Sequence, residues 1–171
     1  MSYGRLEQTD GRWQLRFTRR LTGPPERVWR ALVDPDELAE WFPTTIEGEC
    51  EPGARLRFQF RHGEGPSLEG EMLACDPPRE MEFRWGSGET LMRFELQPDG
   101  DGTVFTLVDT FDEEGRATRD AAGWHVCLDA LASRFGGEAV SEPVADRWLQ
   151  VHAHYVQRFG PPGDGERQLR H

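Results

Sequence analysis

Few residues in this chain have types and spacing that could do chemistry. His125 directly follows Trp124. An imidazole with an ordinary pKa of about 6.5 can take up a proton near neutral pH, which makes His125 the candidate general base or ligand donor. The plainer reading is a surface or capping histidine. His152 and His154 are two residues apart, so on a helix they point in different directions and lack the i, i+4 spacing of a helical metal pair. No metal site is expected. Gly86-Ser87-Gly88 is not a GxSxG elbow and reads as a hairpin turn. Residues 109–114 hold four acids in six positions. They lack EF-hand spacing and its glycine, and so read as a solvated loop. No glycine-rich phosphate loop leads from a strand into a helix, and no tightly bound cofactor is expected. Cys50, Cys75 and Cys127 are an odd number without CxxC spacing. They read as free thiols in a reducing cytoplasm, with Cys127 a small buried residue.

Aromatic side chains offer a different chemistry, that of a lined pocket. Phe58, Phe60, Phe83, Trp85, Phe94 and Phe105 recur on one face of successive strands, with Met72 and Met92 among them. Such a face either lines an apolar cavity or fills a core. A one-residue slip in strand phase would exchange the two faces. Glu71 and Arg93 lie on the opposite, solvated face, and such a slip would make them buried partners.

The elements that must position these residues follow from hydrophobic period. Residues 13–21 alternate, with Trp13, Leu15 and Phe17 on one face, and form a half-buried strand. Pro24-Pro25-Glu26 opens a helix bearing Val28, Trp29, Leu32 and Val33. Asp34 caps a second, short helix that carries Leu38, Trp41 and Phe42. Period two then rules to residue 111. It predicts strands over 55–60, 68–74, 81–85, 91–96 and 103–111, with a further strand over 44–50. The inward row of the third of these stretches holds Met81 beside Phe83, and that of the second holds Ala74 beside Met72. Gly63–Pro66 and Pro77-Pro78 are among the turns between them. After a charged loop over 112–119, Trp124, Leu128, Leu131 and Phe135 mark one face of a long helix that stops at Gly136-Gly137. A last helix begins at Ser141-Glu142-Pro143 and carries Val144, Trp148, Val151, Tyr155 and Phe159. That stripe packs on its own chain or on a homodimer partner. Residues 163–171 read as a frayed tail.

Composition narrows the function classes. Leu, Ile, Val and Phe make up 35 of 171 residues, close to the range of disordered chains. Eighteen aromatic residues, six of them Trp, argue instead for a folded domain with an aromatic core. All 20 basic residues are Arg, and Lys and Asn are absent, the mark of a GC-rich genome. A net charge of −11 excludes a nucleic-acid footprint and docking on an anionic membrane. No apolar run reaches membrane-spanning length, and the first residues hold no apolar signal segment. A cytoplasmic protein is expected.

Three stretches carry a family resemblance. They are Pro24-Pro25-Glu26-Arg27-Val28-Trp29-Arg30-Ala31-Leu32, then Asp34-Pro35 through Leu38 to Trp41-Phe42, and Ala122-Gly123-Trp124-His125-Val126-Cys127-Leu128-Asp129-Ala130-Leu131. Their order and separation over residues 10–137 resemble the START-like helix-grip (SRPBCC) superfamily, and within it the heat-shock-protein ATPase activator homologues. The resemblance implies an α+β fold. A curved antiparallel sheet wraps a long helix, two short helices follow the first strand, and an extra C-terminal helix is added. It divides the chain into a helix-grip domain over 1–137, a helical extension over 138–160 and a flexible tail over 161–171. It also implies a cavity between sheet and long helix, lined by Trp41, Phe58, Phe60, Met72, Phe83, Trp85, Met92, Phe94, Phe105, Trp124, His125 and Leu128, with Trp124 and His125 opening the long helix beside the cavity mouth. The expected partner is an apolar small molecule. The alternatives are a cyclase- or aromatase-type enzyme in the same cavity, which needs a convergent polar pair, and a co-chaperone-like interaction module. Nothing in the chain matches a second chaperone-binding domain, and fold alone does not decide among these.

Overall fold

In the computed structural model, which describes residues 3–61, 65–86, 88–137 and 143–161, the chain begins with a hairpin. Strands β1 (Arg5–Thr9) and β2 (Arg12–Thr22) pair antiparallel around Asp10-Gly11. Both turn residues have positive φ, 52° and 79°, the twist that a two-residue hairpin loop requires. β1 is an addition to the elements expected from the sequence. Helices α1 (Pro25–Val33) and α2 (Pro35–Leu38) follow. The Asp34 side chain caps α2 by accepting from the backbone N–H groups of Asp36 (2.9 Å) and Glu37 (3.2 Å). Glu37 then pairs with Arg27 of α1 at 2.7 Å and ties the two helices together.

The remaining strands are β3 (Arg55–Phe58), β4 (Leu68–Asp76), β5 (Glu80–Arg84), β6 (Leu91–Asp99) and β7 (Gly102–Phe111). All seven form one antiparallel sheet in the order β1-β2-β7-β6-β5-β4-β3. Helix α3 (Ala117–Arg134) lies across its inner face, and α4 (Val144–Phe159) packs on α3. A 3-10 turn at Glu114–Arg116 leads into α3. Gly136, at φ 86°, lets the Gly137 N–H reach back to the Ala132 carbonyl at 2.8 Å and closes α3 in a Schellman motif. The Thr22 N–H donates to the Phe135 carbonyl and pins this end of α3 to β2.

The α+β helix-grip architecture is thus as the sequence implied, with several local corrections. Residues 44–50 form no strand and make only isolated bridges, Thr44 with Phe60 and Glu47 with Arg57. β3 ends at Phe58. A bulge between Met72 and Ala74 flips the phase of β4, so Cys75 rather than Ala74 packs on the core. α3 starts at Ala117, inside the expected charged loop, because the Ala-rich stretch favours helix. Trp124 and His125 therefore sit at mid-helix and do not open it. Cys50 and Cys75 are joined in a disulfide, Cα atoms 5.5 Å apart, which corrects the expectation of free thiols. Hydrogen bonds from the Gly53 N–H to the Met72 carbonyl and from the Met72 N–H to the Ala54 carbonyl hold the 44–54 loop beside β4. The turn at Gly63–Pro66 in part, Ser87, Ser141-Glu142 and the tail lie outside the described residues. No described helix is long and apolar enough to cross a membrane.

Candidate functional site

Alternation along the strands builds the floor of the site. Phe58, Phe83, Phe94 and Phe105 are fully buried and stand side by side on β3, β5, β6 and β7. Their ring centroids are spaced 5.5, 5.6 and 5.7 Å in that order. These separations suit offset and edge contacts. Met72 and Met92 fill the same layer. Trp41 roofs this row from the segment after α2, 5.9 Å from Phe94 and 6.1 Å from Phe105, and its indole N–H donates to the Ala31 carbonyl at 2.9 Å. Leu128 closes it from α3.

At one side the rings come toward the surface. Trp85 is half-buried, and Trp124 is 9% exposed. Phe42 touches both at 5.5 Å, and the two Trp rings are 6.1 Å apart. Phe42 belongs to this site, although the sequence reading placed it only on the short helix. Ten of the expected residues, Trp41, Phe58, Met72, Phe83, Trp85, Met92, Phe94, Phe105, Trp124 and Leu128, thus share one cluster. Phe60 is half-buried beyond the end of β3 and outside that cluster. The interior is packed with these side chains. Clefts of about 490 and 350 Å³ lie elsewhere, between β1 and α4 and on the outer face of the sheet. On that outer face Arg93 pairs with Glu80, Glu82 and Glu95 at 2.6, 2.9 and 2.6 Å.

Two buried polar groups flank α3. Asp109 continues the inward row of β7 after Thr103, Phe105 and Leu107, in register with Leu15 of β2 and Met92 of β6. It is 1% exposed, which corrects the reading of residues 109–114 as a solvated loop. The Trp124 indole N–H donates to its Oδ2 at 3.2 Å. Burial, then the charge of the Asp120 carboxylate beside it, push the Asp109 carboxyl well above the ordinary range, and a side-chain hydrogen bond shared with Asp120 pushes the same way. Asp120 is held in turn by Arg116 at 2.9 Å, and Arg116 donates to the Thr90 hydroxyl at 3.0 Å. The alternation of β7 itself carried the signal for Asp109.

His125 occupies the other face of α3, toward α4 and away from the aromatic row. It is fully buried, with Nδ1 2.9 Å from the Tyr155 hydroxyl, which also accepts from the Gly4 N–H at 2.7 Å. The Tyr155 O–H therefore donates to Nδ1, and the proton of the neutral ring is on Nε2, 3.8 Å from Asp129 Oδ1. Burial, with the charges of Arg19 and Arg147, pushes the His125 pKa down to about 3. Such a group is a structural acceptor at neutral pH. His152 stacks on Trp148 and His154 on Tyr3, so the two rings diverge. Among the described residues no group of three or more His, Cys, Asp or Glu side chains is placed to hold a metal ion.

A family model described as Activator of Hsp90 ATPase homolog 1-like protein matches residues 22–136. No curated protein sequence matches the chain. Among solved structures, CalU16 from Micromonospora echinospora is 20% identical with a TM-score of 0.71, over 93% of this chain and 97% of that one. A Bordetella parapertussis protein is 30% identical with a TM-score of 0.68, over 85% of each chain. The Aha1 dimer from Colwellia psychrerythraea is 18% identical with a TM-score of 0.61, over 71% of this chain and 95% of that one.

Proposed function

The chain belongs to the Activator of Hsp90 ATPase homolog 1-like family, and from that premise we propose that it binds an apolar small molecule of lipid, polyketide or aromatic type between the sheet and α3. The observation that carries this reading is the unbroken row of rings from Phe58 to Phe105, which reaches the surface through Phe42, Trp85 and Trp124. A ligand enters by rotation of these three side chains and replaces their mutual contacts with its own. Aromatic walls with one or two placed polar groups are the usual make-up of a small-molecule site.

The test is native mass spectrometry of gently purified protein, followed by a thermal-shift panel of lipids and aromatic compounds. A co-purified mass, or a rise of about 5–10 °C at a hundredfold excess over Kd, is expected. A clean apo mass together with a flat panel would overturn the reading.

A second reading, a cyclase- or aromatase-type enzyme in the same interior, is favoured by one observation. Asp109 and Asp120 form a convergent pair of carboxyl groups in which burial favours the neutral form of Asp109 while Arg116 is the ion-pair partner of Asp120. Its test is turnover of polyketide-type substrates, with loss in Asp109→Asn and in Asp120→Asn.

A further inference from the structure

An edge strand presents a row of unpaired backbone N–H and C=O groups, a template for a further strand. One edge of this sheet, β3, is closed by the loop before it, since Glu47 and Arg57 exchange both backbone hydrogen bonds at 2.9 Å. The other edge, β1, pairs on its outer side with no strand among the described residues. Arg5, Glu7, Gln8 and Thr9 are exposed, and β1 holds no proline, lysine or bulge to block pairing.

The hairpin decides which groups are free. A two-residue loop makes Thr9 and Arg12 a hydrogen-bonded pair, and alternation then binds Glu7 and Arg5 to β2. The N–H and C=O groups of Leu6 and Gln8 therefore point away from the sheet. The next outward N–H, that of Gly4, is taken by the Tyr155 hydroxyl. Side chains alternate likewise. Leu6 turns to the inner face opposite Leu15, while Arg5 and Glu7 turn to the outer face, with Arg5 opposite the like charge of Arg16. The cleft of about 490 Å³ between β1 and α4 is lined by Arg5, Leu6, Glu7, Glu114, Arg158 and Phe159. Its two arginines and two glutamates make no ion pair among the described residues.

We propose that the β1 edge joins two copies of this chain, β1 pairing antiparallel with β1 of the partner subunit about a two-fold axis at Leu6. Three registers align the free backbone groups. Leu6 opposite Gln8 sets Glu7 against Glu7, a repulsive pair, and Gln8 opposite Gln8 carries Arg5 past the end of the partner strand. Leu6 opposite Leu6 sets Arg5 against Glu7 of the partner subunit, and Glu7 against the partner's Arg5. It also gives Arg5 a counter-charge beside Arg16. The two Leu6 N–H groups donate across the axis to the two Leu6 carbonyls, and each Gln8 N–H reaches the Gly4 carbonyl opposite. The Leu6 side chains meet on the inner side, in the cleft that Phe159 lines. Val151 and Tyr155 of the α4 stripe are buried within their own chain, so the β1 edge is what a second copy meets. This proposal is independent of the ligand-binding reading.

Sedimentation equilibrium of the full chain tests it. The wild type should form a weak dimer that loosens at high salt. Glu7→Arg and Arg5→Glu each set like charges opposite one another twice in the pairing, and each should weaken the dimer by roughly tenfold or more. Mixing the two variants restores every pair and should restore association, as should Arg5→Glu/Glu7→Arg in one chain. Both side chains are exposed, and unchanged circular dichroism confirms that the variants fold. As a readout independent of charge, amide exchange at Leu6 and Gln8 should slow as protein concentration rises. A wild type that stays monomeric to about 1 mM would overturn the proposal. So would a dimer that both single variants leave intact, single variants that do not recover on mixing, or exchange at Leu6 and Gln8 that ignores concentration.

Discussion

Protonation of His125 offers a sharp quantitative test of the packing between α3 and α4. The ring is fully buried, its Nδ1 accepts from Tyr155, and Arg19 of β2 and Arg147 and His154 of α4 face it with positive or titratable groups. Its folded pKa of about 3 lies below the ordinary 6.5. The unfolded chain therefore takes up the proton first as pH falls. The stability this group contributes is complete above about pH 6.5 and is lost progressively toward pH 3. Each pH unit in that window corresponds to about 1.4 kcal/mol, or about 2.7 kcal/mol between pH 6.5 and 4.5. Asp129, 3.8 Å from Nε2, supplies a partial partner to an imidazolium, which brings the expected loss to about 2 kcal/mol. The assay is urea unfolding at pH 6.5 and 4.5 for the wild type and for His125→Asn, which keeps an acceptor near Tyr155. The variant will be less stable at pH 6.5, because a well-packed ring has been trimmed. The gap between the two proteins should narrow by about 2 kcal/mol at pH 4.5. Parallel pH profiles would refute the reasoning, since they would mean that the ring is solvated or already protonated.

Three further outcomes follow from particular contacts. Tyr155→Phe keeps the ring in place but strands the Gly4 N–H and His125 Nδ1, and should cost about 1–3 kcal/mol with faster amide exchange in α4. Reducing the Cys50–Cys75 disulfide opens a 25-residue span and should cost up to about 3 kcal/mol, read as a lower Tm that a Cys50→Ser/Cys75→Ser variant reproduces without reductant. Asp34→Ala removes the cap of α2 and should cost about 1 kcal/mol by chemical denaturation, with Asp34→Asn losing much less.

What the sequence made legible was what is encoded locally. The alternation of Met92, Phe94 and Leu96 and of Phe105 and Leu107 names the buried face, because period two leaves no other way to place those side chains. The Asp34 cap finds its N–H partners within one helical turn, and Pro25 marks the first turn of α1. The hairpin of β1 also had a local signal, Asp10-Gly11, but its polar strand has no apolar row to reveal it. The disulfide was not legible, since Cys50 and Cys75 meet only because the loop lies against β4. Ala74 was misplaced because a bulge reverses phase without changing composition. His125 was read toward the cavity because the expected helix start placed it in the first turn. In an 18-residue helix it sits at mid-length, one position on from Trp124 and thus about 100° around the axis, which turns it to α4.

That rotation separates the two buried titratable groups by role. Both stand against α3, both are removed from water, and burial shifts both toward the neutral form. His125 Nδ1 accepts from the Tyr155 hydroxyl, which in turn accepts from the Gly4 N–H, while Nε2 lies 3.8 Å from Asp129 and makes no hydrogen bond. Those partners come from the helix, the terminal extension and the N-terminal segment, so the ring records how α4 is attached. Asp109 accepts from Trp124, a side chain that also stands at the rim of the aromatic row. Rotation of Trp124 to admit a ligand would remove that hydrogen bond as well. Opening the interior and uncovering this acid are therefore one event.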